Sequence, residues 1–338
     1  MKKTLSLGAL PLLLCGLAVQ AGAAEDSLQC ARMVDDAARL KCYDSFTQQT
    51  AAQPAPPAIE ERSYLNRSWD LDNKDDDLLG EKLSPLRPYR PSYLIARKTN
   101  QPNVLPVSPA PGHITTTSAD TDSMELKFQF SQKGKILNSR SWHFLGFTSF
   151  RLWGAYTQQS SWQAFNSQDS SPFRETNYEP ELIATMGTGN YYGLKLVNLG
   201  LVHQSNGRDL PGSRSWNRMY LQGGWETDTW SALVRAWWRV PESPEHDDNP
   251  DIQDYMGRGD ILLRWAPLDE SQVVNILLRN NLSGEQNRGF IQIDWATPIT
   301  LTQSTRLHLQ FTNGYGESLI DYNYRQTTLG LGVSFRDW

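Results

Sequence analysis

The chain has 338 residues, a formal net charge of −5 and no basic stripe of the kind that holds nucleic acid. Mean hydropathy is −0.54, and beyond the N-terminus no stretch offers the roughly 18 uninterrupted apolar residues of a membrane-spanning helix. Yet there are 12 Trp, 13 Tyr and 11 Phe. Such aromatic content with modest hydropathy fits alternating strands, in an outer-membrane β-barrel or in a secreted β-sandwich.

Residues 1–24 read as a secretory signal peptide. Met1-Lys2-Lys3 supplies the charged start, Leu5 through Val19 are mostly apolar, and Ala21 to Ala24 are small. Cys15 lies in the apolar part behind bulky Leu14, which argues against lipidation. Residues 25–90 form an expected periplasmic segment. Export makes a disulfide between Cys30 and Cys42 possible. A straight helix would hold the two roughly 18 Å apart, so a bridge requires a broken helix or a helical hairpin. Residues 47–62, with Pro54, Pro56 and Pro57, form a linker, and residues 63–90, with Asp75 to Asp77, are charged and have no clear period.

From about residue 91 the pattern has period two. Met124, Leu126, Phe128 and Phe130 alternate with Glu125, Lys127, Gln129 and Ser131. Leu307, Leu309 and Phe311 alternate with Arg306, His308 and Gln310. Eleven strands are centred near residues 127, 151, 183, 198, 220, 235, 262, 276, 293, 309 and 331. A shorter twelfth, Ser92–Arg97, completes the even count of a bacterial barrel. The expected fold is therefore all-β, a twelve-stranded antiparallel transmembrane β-barrel over residues 91–338. Gly187–Asn190, Glu226–Thr229 and Pro267–Glu270 read as tight turns. Gln158–Tyr178, Asn206–Ser213 and Glu242–Met256 read as long loops. If the first strand rises, so does the fifth, and the Asn206–Ser213 loop is extracellular.

The fifth strand places His203 and Ser205 on one face with Leu199 and Leu201, since i and i+2 project together. On the sixth, Asn217 shares its face with Met219 and Leu221. A base, a hydroxyl and an amide thus sit on the apolar, lipid-facing side. Uncompensated polar groups are costly there, and that cost points to function. An imidazole beside a hydroxyl can make a nucleophile, and an amide can orient the imidazole.

His203-Gln-Ser-Asn-Gly-Arg208 followed by Ser213-Arg-Ser-Trp-Asn-Arg218 resembles the signature of the outer-membrane phospholipase A family of Gram-negative bacteria. The resemblance continues in Ser170-Ser-Pro-Phe-Arg-Glu-Thr-Asn-Tyr-Glu-Pro180, Asp247-Asp-Asn-Pro-Asp251 and Gly314-Tyr-Gly-Glu-Ser-Leu-Ile-Asp-Tyr-Asn323, and spans roughly residues 85–338. It implies a calcium-dependent hydrolase of phospholipid and lysophospholipid acyl esters in the outer membrane, active as a homodimer. By position it makes Ser205 the nucleophile, His203 the base and Asn217 the orienting residue. It gives the oxyanion to the Gly207 N–H, and calcium (Ca2+) to the Arg208 carbonyl, the Ser213 hydroxyl, Asp248 and, from the partner subunit, the Ser170 carbonyl. Gln158 is an expected dimer contact. Three departures stand out. Gln204 replaces an acidic residue, on the lumen side. Leu210 stands where relatives can carry an Asp near calcium. At the C-terminus Phe335, Val333 and Leu331 are one residue out of phase with Trp338, as if the last pairing carried a bulge. The alternative expectation is a passive porin-like channel, with Arg218, Arg235, Arg239, Trp216 and Trp237 in the lumen.

Overall fold

The computed structural model describes residues 33–42, 63–72, 86–139, 145–167, 172–299 and 305–335. The chain divides into a unit Met1–Glu61 and a unit Arg62–Trp338. In the first, residues 36–42 form a short helix, opened by Asp35, whose Oδ1 accepts from the Ala38 N–H at 2.8 Å. Cys42 is disulfide-bonded, its partner lying outside the described residues. The expected signal peptide also lies outside them.

The second unit is a closed antiparallel barrel. Its strands are β1 (Tyr93–Thr99), β2 (Met124–Ser139), β3 (Ser149–Trp162), β4 (Phe173–Tyr191), β5 (Leu194–Ser205), β6 (Ser215–Glu226), β7 (Trp230–Arg239), β8 (Gly259–Trp265), β9 (Val273–Asn280), β10 (Gly289–Pro298), β11 (Thr305–Tyr315) and β12 (Arg325–Phe335). Each pairs with its sequence neighbours, and β12 closes on β1 from Thr328↔Thr99 to Ser334↔Tyr93. Among the described residues, closure gives each of the twelve strands a partner on both sides, the condition for crossing a bilayer with strands. A two-residue strand, Arg87–Pro88, adds to β2 at Lys133 and Gln132.

The two ends of the barrel differ, as expected. Tyr192–Gly193, 227–229 and 266–272 turn the chain at one end. At the other, 100–123, 206–214, 240–258, 281–288 and 316–324 make longer loops. The first turn is not at Gly187–Asn190. The β4 strand runs on to Tyr191, which pairs with Leu194 across a register shift, and Tyr192 (φ 47°) and Gly193 (φ 79°) reverse the chain. The expected loop Gln158–Tyr178 is shorter too, because β3 and β4 pair up to Trp162↔Phe173. No bulge occurs in the last described pairing. The β11–β12 ladder is regular from Thr305↔Phe335 to Tyr315↔Arg325, and Leu329, Leu331, Val333 and Phe335 are all exposed on the outer wall. Residues 336–338 lie outside the described residues.

The wall is apolar outside and the interior is polar, the reverse of a soluble domain. Arg97 pairs with Glu125 and Glu317, Lys127 with Glu317 at 3.1 Å, Arg90 with Glu179 and Glu181, and Arg235 with Asp260 at 2.5 Å. Residues 63–72 also enter this interior. Helix α1 (Tyr64–Trp69) is capped by Ser63 and ended by left-handed Asp70. Its Trp69 is buried edge-on against Trp153, with the Lys133 ammonium 3.3 Å above the ring. The Leu65 N–H is bound by Glu226 at 3.0 Å, at the short-turn end. A cavity of about 200 Å³ remains, lined by Arg90, Glu179, Arg218, Arg235, Trp237 and Asp260 among others. Paired charges and aromatic rings thus occupy a twelve-stranded interior, which runs against the channel expectation.

Candidate active site

The ladder between β5 and β6 sets the site. His203 lies directly opposite Asn217, and Ser205 opposite Ser215. His203 is exposed on the outer wall beside Leu199 and Leu201, which are 50% and 54% exposed, and Met219 on β6 is 51% exposed. Gln204 faces inward as expected, accepting from Trp216 Nε1 at 2.8 Å and Arg218 at 3.1 Å.

The His203 Nδ1 lies 2.8 Å from Asn217 Oδ1, and Asn217 Nδ2 donates to Glu242 Oε1 at 2.8 Å. A carboxylate only accepts, so the amide must turn its NH₂ toward Glu242 and its oxygen toward the imidazole. The His203 proton therefore sits on Nδ1, and Nε2 carries a free lone pair. Ser205 lies on the same face, roughly 7 Å farther along the strand between Cα atoms. Its neighbour Asn206 turns inward and ties the loop together, donating to the Gly212 carbonyl at 2.8 Å and accepting from the Arg208 and Arg214 N–H groups at 3.3 and 2.9 Å. Gly207 follows in a left-handed conformation, φ 62°, where a Cβ would meet the Tyr178 ring at 3.2 Å. The Arg208 side chain anchors this loop to β4, through Glu175 at 3.3 Å and the Arg174 carbonyl.

Two expected calcium ligands come together. The Ser213 hydroxyl donates to Asp248 Oδ2 at 2.7 Å, and Ser215 donates to the same oxygen at 3.2 Å. One carboxylate and two hydroxyls in contact form a hard-oxygen donor set of the kind calcium takes. Among the described residues no three His, Cys, Asp or Glu cluster, so further donors would have to be carbonyls or water. Arg208 is in the adjoining loop, and Ser170 lies outside the described residues. Leu210 is exposed at the loop tip, its side chain against Gly112 of the 100–123 loop.

Sequence reasoning missed the supporting residues. From the 100–123 loop, Ser108 donates to the Asp248 carbonyl at 2.6 Å, and His113 Nε2 lies 3.1 Å from Asp248 Oδ1. Glu242 reads from the sequence only as the start of the long Glu242–Met256 loop. The signal for it was strand phase. The Val240 N–H bonds the Asn217 carbonyl at 2.8 Å, which carries the β7 ladder past Arg239 and brings Glu242 alongside.

The family model "Phospholipase A1" matches residues 65–335. A Neisseria meningitidis serogroup B relative is 33% identical over 378 residues, covering 96% of this chain and 95% of its own. The Escherichia coli K12 phospholipase A1 is 36% identical over 255 residues, covering 75% of this chain and 82% of its own. Among solved structures, outer membrane phospholipase A from Escherichia coli aligns with a TM-score of 0.63 at 36% identity, over 75% of this chain and 98% of that one. The Salmonella typhi outer membrane phospholipase dimer with bound calcium aligns at 0.65 and 34% identity, over 83% of this chain and 99% of that one.

Proposed function

This chain belongs to the phospholipase A1 family, and on that premise we propose that it is a calcium-dependent outer-membrane phospholipase. It hydrolyses acyl esters of phospholipids and lysophospholipids with Ser205, His203 and Asn217, and it is activated by homodimerisation. The observation that carries this reading is the outward-facing His203–Asn217 hydrogen bond, which leaves Nε2 free on the face Ser205 shares.

In the reaction His203 Nε2 takes the Ser205 proton as Oγ attacks the ester carbonyl and returns it to the departing alcohol. The same nitrogen then deprotonates the water that cleaves the acyl–Oγ bond, releasing the fatty acid and giving the proton back to Ser205. Asn217 holds the ring and its tautomer. The Gly207 N–H donates to the oxyanion, and left-handed backbone at that residue needs a glycine. Calcium, held by Ser213, Asp248 and the Arg208 carbonyl, would supply positive charge close to the developing oxyanion. The Ser170 carbonyl of a second copy would complete that site, so the lone subunit stays idle.

The outer wall supports a dimer there. Phe130, Gln158, Tyr178, Ser205 and Ser215 are register partners in one row across β2 to β6. Gln158 hydrogen-bonds to Tyr156 and Ser160 at 3.1 and 3.3 Å, a polar spot in an apolar belt close to the nucleophile. The long loops then face the cell exterior and the triad faces the outer leaflet. Residues 1–24 direct export.

A sulfonyl fluoride tests the reading. It labels Ser205 in the presence of calcium and not in its absence, and Ser205→Ala or His203→Ala abolishes fatty-acid release from mixed micelles while the barrel still folds. Activity retained in both variants overturns the assignment.

A further inference from the structure

The three triad residues leave one charged contact without a role. The Asn217 amide is sandwiched between the His203 imidazole and the Glu242 carboxylate, at 2.8 Å from each. Glu242 is itself held on its other oxygen by Arg239 at 3.2 Å, and its side chain is 16% exposed. Arg239 in turn is gripped by Asp247 Oδ1 at 2.5 Å and the Asn249 carbonyl at 3.2 Å. The carboxylate therefore cannot drift away from the amide without breaking a buried charged network.

An asparagine amide has two orientations of almost the same shape. With the oxygen toward the imidazole, the proton sits on Nδ1 and Nε2 is a base. With the NH₂ toward the imidazole, Nδ1 must accept, the proton moves to Nε2, and the ring can no longer take a proton from Ser205. A neighbour that only accepts selects the first orientation. It also sets a negative charge one hydrogen bond behind the amide, where it supports the imidazolium of the transition state.

Resting on the lipase reading above, we propose that Glu242 is a positioning residue of the active site. It fixes the Asn217 amide, and through it the His203 tautomer, making the unit a four-membered relay of Ser205, His203, Asn217 and Glu242. The same arrangement explains why an amide stands at position 217. An aspartate there would meet Glu242 with no proton between them, and two carboxylates so close cannot both stay ionised.

The test uses the full-length protein in calcium-containing mixed micelles, with unfolding temperature as the check on the barrel. Glu242→Ala lowers kcat about tenfold and leaves KM almost unchanged, because the ring is misoriented and not the substrate. Glu242→Gln, which keeps an acceptor oxygen, loses less. Asn217→Asp falls below Glu242→Ala, and adding Glu242→Gln to it restores at least about tenfold in kcat, since glutamine can donate to the new carboxylate. A merely structural Glu242 gives no such rescue. The proposal is overturned if Glu242→Ala keeps the parent kcat, or if the double variant is no better than Asn217→Asp alone. Should Glu242→Ala not fold, the near-isosteric Glu242→Gln and the double variant decide. The parent chain separates the two readings, because an inactive parent, or an active Ser205→Ala, counts against the lipase assignment and with it against this one.

Discussion

At Gly207 the backbone is left-handed and the space above it is filled by the Tyr178 ring. Gly207→Ala therefore combines a strained φ with a contact at 3.2 Å. We expect it to lower kcat more than it raises KM, with a modest loss of thermal stability, both measurable on the same preparation. Asp248 gives a second expectation. Asp248→Asn keeps the hydrogen bonds from Ser213 and Ser215 but removes the negative charge, so the calcium concentration for half-maximal activity rises by about tenfold or more while the barrel still folds. An unchanged calcium requirement would remove Asp248 from the site. At this scale the outward face of His203 and the pairing of its strand with that of Asn217 were legible, because i and i+2 share a strand face whatever the wider fold. Ser108 and His113 were not, because they reach the site from the 100–123 loop and no sequence period reveals where a loop touches down. Glu242 required carrying the β7 phase past Arg239, where the Val240 N–H still bonds the Asn217 carbonyl.

Among the elements, the strands were readable because lipid outside and polar groups inside impose a strict period of two over long runs. Turn positions were less so. Gly187 to Asn190 looks like a turn, yet strand pairing carries β4 on to Tyr191. Helix α1 escaped notice for a different reason. Six residues make too short a run for a helical period, and what holds it is tertiary packing of Leu65 and Trp69. Trp69→Ala should cost about 3–5 kcal/mol of barrel stability, the usual loss for a fully buried aromatic residue. Thermal unfolding in detergent measures it, and a change of less than about 1 kcal/mol would mean that α1 contributes little to the barrel.

For the molecule as a whole, the interior is an ion-pair network and its stability follows pH. Burial pushes the Glu317 carboxyl up, but Arg97 and Lys127 outweigh it and bring it down to about 2, from an ordinary value of 4.5. A carboxyl with a depressed folded value contributes stability above the unfolded value, and that contribution is lost as pH falls from 4.5 through about 2. Glu317→Gln should therefore lower the unfolding temperature clearly at pH 7, and the gap from the parent should narrow toward pH 2. A gap that stays constant would show that the charge is not what matters. Strand phase placed Arg218, Arg235 and Trp237 in the lumen, where they line the remaining cavity. It could not show that Arg97 meets Glu317 or that Arg90 meets Glu179, because those pairs join segments far apart in the chain.

The face proposed as reactive opens sideways, on the wall and not into the bore. On that proposal substrate reaches His203 and Ser205 by moving within the plane of the bilayer, so encounter is governed by crowding per unit of surface and not by amount per unit of volume. At constant bulk phospholipid, diluting the surface with inert detergent should slow turnover in proportion, and adding more particles of the same surface composition should not restore it.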